Sequence, residues 1–153
     1  MTPGELDRLA QLHPEMYWRA ERLIQNMAKR GHDVFVGATK RSADEAEAAR
    51  LAGRSSAHQT RSWHELGRAV DCRPRKATGG PNYDTGPASE PFWLALQEEA
   101  EALGMRCLAY REDGSKLLLN TVNGKRWDPG HCEYRAPYAN LEAALVAELP
   151  GMT

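Results

Sequence analysis

This chain of 153 residues lacks several features, and their absence excludes several classes of protein. It contains no run of about 20 apolar residues, so insertion into a membrane as a spanning helix is not expected. Its net charge of -1 gives no basic excess for general nucleic-acid binding. Its first residues lack a basic segment followed by an apolar segment, so we expect no Sec signal peptide and a cytoplasmic location in the producing cell.

Cysteine is also scarce. The three cysteines, Cys72, Cys107 and Cys132, are an odd number and do not form an even disulfide framework. We expect all three to be reduced and partly buried. The chain length fits one domain, residues 1–153, and we expect it to be a monomer.

The apolar pattern predicts helices around a few strands. Apolar residues recur at helical spacing over residues 3–30, and Pro14 is expected to begin a second helix within that range. Residues 33–37 have the composition of a short strand. The predicted class is α+β, with a small, largely antiparallel sheet flanked by helices. Further helices are expected at residues 42–52, 90–103 and 141–149, and a hairpin at residues 106–110 and 116–121.

His64 and Asp71 are candidate metal ligands seven residues apart. On a continuous helix they would lie roughly 10 Å apart along the axis, which is too far for one ion. On a continuous strand they would point to opposite faces. If both bind one metal, the chain must bend between them, and Gly67 can provide the bend. The helical HExxH zinc motif is excluded because Arg68 stands where its second histidine would be.

A second candidate segment runs from Asp128 to His131. Pro129 and Gly130 occupy the two central positions of a predicted β-turn, which brings Asp128 and His131 within about 7 Å. With the first segment, this gives two imidazoles and two carboxylates. A catalytic zinc site needs three protein ligands, an open position for water, and a base, and these residues supply them.

The two segments resemble a known family. The pattern Ser-x-His-x-x-Gly-x-Ala-x-Asp is matched by Ser62, His64, Gly67, Ala69 and Asp71. A carboxylate-x-x-His pattern follows tens of residues later. Together they are similar to the zinc D-Ala-D-Ala carboxypeptidases, the vancomycin-resistance D-Ala-D-Ala dipeptidases and the phage L-alanyl-D-glutamate endopeptidases. The implied fold is Hedgehog/DD-peptidase-like.

The resemblance also implies residue roles. His64, Asp71 and His131 would hold Zn²⁺, and Asp128 would be the catalytic base. The family places an arginine in a strand-to-helix turn upstream of the first motif, and Arg41 is the candidate, preceded here by lysine instead of the family's usual aromatic residue.

Other polar residues near the motifs are further candidates, each with an alternative structural role. Ser62 is a candidate hydrogen-bond donor to substrate, or a hydroxyl that stabilises its loop. Tyr83 and Asp84, in a polar segment over residues 73–89, are candidate substrate contacts, or part of a solvated excursion. Glu65 is expected to be exposed or to lie behind the ligands. Glu133, two residues after His131, is expected to orient a ligand.

The function implied by the resemblance is hydrolysis of a peptidoglycan stem peptide by a single zinc peptidase domain. The expected activity is that of an L-alanyl-D-glutamate endopeptidase acting as a phage-type endolysin, released to the cell wall with the help of a holin. The alternative within the family is a D-Ala-D-Ala carboxypeptidase or dipeptidase. The alternative of another class is a non-enzymatic zinc-binding virion or structural module, which would prefer four closed ligands and need no base.

Overall fold

The structure, a computed structural model, describes residues 1–40, 62–84, 87–107, 121–122, 125–126 and 129–149. The helix predicted at residues 42–52 and most of the hairpin predicted after residue 106 lie outside these ranges. None of the described helices is long and apolar enough to cross a membrane.

Two proline-started helices open the chain, as their sequences predict. Pro3 and Pro14 each occupy a first-turn position, where the missing N–H costs no hydrogen bond. The first helix also has a capping box, in which Glu5 N–H donates to Thr2 Oγ1 and Thr2 N–H donates to the Glu5 carboxylate. The helices are α1 (Pro3–Ala10), α2 (Pro14–Lys29), α3 (Glu90–Ala102) and α4 (Leu141–Glu148).

A four-stranded sheet forms the centre of the fold. Its strands are β1 (Val34–Val36), β2 (Ala69–Pro74), β3 (Arg106–Cys107) and β6 (His131–Glu133), in the order β1-β2-β6-β3, while β4 (Thr121–Val122) and β5 (Lys125–Arg126) pair separately. Every described strand pair is antiparallel, which confirms the predicted α+β class.

The main core lies on one face of this sheet. Alternate residues of a strand face opposite sides, so Val70 and Cys72 of β2 join the core while Asp71 between them faces away. Helices α2 and α3 pack on each other and on the sheet. Their fully buried contributions include Met16, Leu23, Met27, Trp93 and Leu96.

A second, smaller core joins α4 to the segment that carries His64. Trp63 and Leu66 pack there with Ala144 and Leu145 of α4. Arg68 lies beside this core, buried to 3% exposure, and its guanidinium donates to both carboxylate oxygens of Glu148 on α4 and to two backbone carbonyls. The ion pair therefore holds the C-terminal helix against the start of β2.

The polar segment that follows β2 is more ordered than its composition predicts. A bridge between Arg75 and Pro81 closes a tight turn within residues 73–84. Arg75 also pairs with the buried Glu5 at 2.7 Å and with Asp33 at 3.2 Å. Burial raises the pKa of Glu5, but Arg75 and backbone N–H donors outweigh it and hold that pKa at about 2. This ion pair ties the turn to α1 and β1.

Candidate metal centre

His64 reaches the site because the chain bends directly after it. It lies on a 3-10 helix, Trp63–Leu66, which Gly67 ends in the left-handed conformation at φ 68°. A Cβ atom on Gly67 would also approach the backbone nitrogen of His13 to 2.8 Å. Both the backbone angle and the close packing favour glycine here. The bend that the seven-residue spacing requires is therefore present at Gly67, and β2 begins two residues later.

Asp71 and His131 are direct cross-strand partners of β2 and β6. Their side chains consequently lie on the same face of the sheet. Pro129 and Gly130 form a turn that leads into β6. Cys72 N–H donates to the Gly130 carbonyl at 2.8 Å, and a Cβ atom at Gly130 would overlap the Cys72 carbonyl oxygen. Glycine at 130 thus permits the close approach of the turn to β2.

The structure brings the three predicted ligands together. His64 Nε2 and His131 Nδ1 each lie 3.2 Å from Asp71 Oδ1, and the three donor atoms lie within 4.8 Å of one another. Zn²⁺ binds nitrogen and oxygen at about 2.0–2.2 Å, so neighbouring donors of a tetrahedral site are roughly 3.3 Å apart. The observed spacing and the N/O donor chemistry therefore fit a zinc ion.

Each imidazole has its second nitrogen held by an acceptor away from the site. His64 Nδ1–H donates to the Thr39 carbonyl at 2.5 Å, and His131 Nε2–H donates to Glu133 Oε1 at 2.8 Å. Arg135 Nε in turn donates to the other oxygen of Glu133. These partners leave His64 Nε2 and His131 Nδ1 facing Asp71, where each nitrogen offers a lone pair to a metal ion once its ring is neutral there, as in histidines that bind metals. The Thr39 contact could not be found from sequence, because a backbone carbonyl leaves no mark in residue type.

The charges at the site suit a cation. Burial raises the pKa of Asp71, but His64 and His131 outweigh it and hold that pKa well below its usual range. Burial lowers the pKa of His131, but Asp71 and Glu133 outweigh it and raise that pKa to about 10. A metal that binds here must displace the proton of His131, because a ligand imidazole is neutral. The Asp71 carboxylate, 28% exposed, is charged and accessible.

Two residues next to His64 have different surroundings. The hydroxyl oxygen of Ser62 is buried and has no hydrogen-bond partner within the described part of the chain. Glu65 is 5% exposed, so the expectation that it is exposed is wrong, while the alternative that it lies behind the ligands stays a prediction. It lines a cavity of about 460 Å³ with His13, Lys40 and Arg68, and His64 does not line that cavity. The turn of the 3-10 helix sends the two consecutive side chains to different places.

The remaining candidate residues fall into two groups. Tyr83 is 67% exposed, and the guanidinium of Arg73 lies 4.7 Å from its ring centroid. Asp84 accepts a hydrogen bond from Ser89 Oγ at 3.4 Å, just before α3. Asp128 and Arg41 lie outside the described residues, so their predicted roles stay predictions.

No protein-family model and no curated protein matches this chain by sequence. Solved structures do share its fold. Serratia marcescens L-Ala D-Glu endopeptidase ChiX superposes with a TM-score of 0.55 at 18% identity, over 88% of each chain. The LdcB LD-carboxypeptidase gives 0.54 at 19% identity, over 93% of this chain and 65% of its own.

A third similar structure contains a metal. It is a mutant of the vancomycin resistance D,D-pentapeptidase VanY in complex with Zn(II), with a TM-score of 0.51 at 17% identity over 92% of this chain and 79% of its own. Identities this low show the fold alone. They confirm the DD-peptidase-like fold that the two sequence motifs imply.

Proposed function

We propose that this protein is a zinc metallopeptidase that cleaves the stem peptides of peptidoglycan. The observation that carries the proposal is the convergence of His64, Asp71 and His131, with each imidazole oriented by an outside acceptor. Three protein ligands leave a fourth tetrahedral position open, which is the arrangement of catalytic zinc sites. The shared fold adds support, because ChiX, LdcB and VanY are each named as peptidases or carboxypeptidases.

The residues of the site have two roles, to hold the metal ion and to orient the two imidazole rings. A bound zinc ion would supply Lewis acidity, which lowers the pKa of water and polarises a carbonyl. His64, Asp71 and His131 would hold the ion, while Thr39 and Glu133 keep the two rings in the tautomers that this requires. Arg135 holds Glu133 in place by an ion pair.

Asp128 and Arg41 complete the proposed mechanism, on the strength of the sequence resemblance. Asp128 precedes His131 by three residues, across the turn that contains Pro129 and Gly130. It takes a proton from the attacking water and returns it to the leaving amine. Arg41 donates to the carbonyl oxygen as negative charge develops on it, a contact typically worth about 3–4 kcal/mol. Of the other predicted substrate contacts, Ser62 has a buried hydroxyl and is not assigned a contact with the peptide, whereas Asp84 is kept as a candidate contact.

The proposed bond is the one between L-alanine and D-glutamate, and the proposed role is that of a phage-type endolysin that meets the cell wall after release from the cytoplasm. The sequence motifs resemble those of such endopeptidases, and ChiX, an L-Ala D-Glu endopeptidase, is among the structures that share the fold. Mass spectrometry of purified muropeptides incubated with the zinc-loaded protein tests it. Endopeptidase action leaves a shortened stem with a new N-terminal D-glutamate, whereas carboxypeptidase action releases D-alanine. Zinc binding without any hydrolysis would favour the non-enzymatic zinc module.

Asp128→Asn tests the mechanism separately from the fold. It keeps the size of the side chain and removes the proton acceptor, so hydrolysis should fall about 10²–10⁴-fold. Bound zinc and the thermal midpoint, measured on the same preparation, should stay near wild type. If the variant loses zinc together with activity, Asp128 is a fourth ligand. If it keeps full activity, the base lies elsewhere.

A further inference from the structure

The positively charged side chain of Arg73 lies on the same face of the sheet as the candidate metal centre. Arg73 follows Asp71 by two residues on β2, so both side chains project from the face opposite the main core. Two residues of a strand span roughly 7 Å. The cross-strand partner of Arg73 is Phe35 of β1, which is only half-buried. This face therefore presents the ligand carboxylate first, then a guanidinium, with an aromatic ring alongside it.

Arg73 differs from the other arginines close to it. Arg75 is paired with Glu5 and Asp33, and Arg135 is paired with Glu133. Arg73 has no carboxylate within ion-pair distance among the residues that the structure describes, and its recorded contact is the stack on Tyr83. Ion pairs within the protein thus give Arg75 and Arg135 a structural role. Among the described residues, no ion pair of this kind gives Arg73 such a role.

The stack on Tyr83 prepares Arg73 to bind an anion. The guanidinium carbon of Arg73 lies 4.7 Å from the centroid of the Tyr83 ring, a cation–π contact that restricts an otherwise flexible side chain. Its N–H groups point outward in the guanidinium plane, in a fork that matches the two oxygens of a carboxylate. Tyr83 is 67% exposed, so its ring and the guanidinium over it are open to a peptide from solvent.

We propose that Arg73, held by Tyr83, binds a carboxylate of the stem peptide and makes the enzyme select acidic stem peptides over those in which that carboxylate is amidated. The inference rests on the proposed peptidase function. An extended peptide advances about 3.3 Å per residue, so the selected carboxylate belongs to a residue within about two positions of the bond that is cut. Arg73 is a specificity-determining residue in this scheme, and Tyr83 positions it.

The test compares stem peptides in which each carboxylate in turn is replaced by a carboxamide. For each peptide, kcat/KM and the dissociation constant are measured with zinc-loaded wild type, Arg73→Gln and Tyr83→Leu. One replacement should lower wild-type kcat/KM by about 10–100-fold, the range for a hydrogen bond to a charged group. Arg73→Gln should lose this preference, with little change on the amidated peptide. Tyr83→Leu should reduce the preference partly, through KM more than kcat.

Lys76→Gln is the matched control, because it removes an exposed positive charge from the same turn. It should keep the preference, and all variants should keep wild-type zinc content. The inference is overturned if no replacement affects wild type, or if Arg73→Gln retains the preference. The dissociation constants of the peptides distinguish failure of the peptidase proposal from failure of the carboxylate site. If wild type cleaves no peptide but binds one carboxylate form more tightly and Arg73→Gln does not, the peptidase proposal fails and the carboxylate site stands. Equal binding of all peptides overturns the carboxylate site.

Discussion

Strands β2 and β6 carry the candidate metal ligands on one face of the sheet and cysteines on the other face. The two kinds of residue stand at consecutive positions of each strand. Asp71 and His131 lie on one face with Glu133. The next residues along each strand, Cys72 and Cys132, lie on the other face and are fully buried in the main core. Their neighbour Cys107 on β3 has its sulfur 3.3 Å from that of Cys132. Thiols and imidazoles are thus separated by the thickness of one sheet.

This difference indicates that strand alternation, and not ligand softness, decides which side chains line the candidate metal site. Thiolates are strong zinc ligands, so three cysteines near a zinc site are candidates by chemistry alone. The fold keeps them on the core side. Contacts with Cys107 and Cys72, together with burial, raise the pKa of the Cys132 thiol well above its usual range. A protonated, buried thiol packs as a small apolar group.

Removing either imidazole from the sheet face that carries Asp71 should have the largest effect on zinc binding. We expect His64→Ala and His131→Ala each to lower bound zinc from about one ion per chain to near zero, because two remaining ligands hold zinc poorly. Peptidase activity should fall to background with it. Metal analysis by mass spectrometry and a muropeptide hydrolysis assay measure the two effects, and circular dichroism confirms folding.

His32→Ala is the control for these two variants. His32 contacts the ring of Phe92 away from the polar face, so its loss should leave zinc content unchanged. Full retention of zinc in both ligand variants would show that the metal site is elsewhere.

Removing the charge of Glu133, which hydrogen-bonds to His131, should have a smaller effect on zinc binding. Glu133→Gln retains an acceptor for His131 Nε2–H but loses the charge that holds both His131 and Arg135. Loss of such a partner typically lowers metal affinity about 10–100-fold. Competition with a chelator of known affinity measures the change. Glu142→Gln, at an exposed position of α4, should leave the affinity unaltered, and an equal loss in both variants would contradict the role given to Glu133.

The sequence predicted the parts of the site and fold that local rules determine. The proline-started helices α1 and α2, the strand alternation at Asp71 and the need for a bend at Gly67 follow from spacing and residue type. Contacts between distant residues could not be predicted. Arg68 and Glu148 are 80 positions apart, and neither has a sequence pattern that names the other. His13 caps α2 and its backbone N–H donates to the Gly67 carbonyl, a contact that neither residue type indicates.

Changing the thiol face should have the smallest effect, and this prediction tests the separation of the two faces. Cys132→Ala shortens a buried side chain without adding a polar group, so the free energy of unfolding should fall by about 1 kcal/mol. Zinc content and peptidase activity should remain at wild-type levels, because the sulfur faces away from His131. Urea denaturation and metal analysis on one preparation measure the two quantities. Thiol titration of the unfolded wild-type protein, without reductant, should find three free groups, since all three cysteines are unpaired. A titre of one would reveal a disulfide. Loss of zinc from Cys132→Ala with the fold intact would mean that the two faces are coupled and that strand alternation alone does not isolate the metal site.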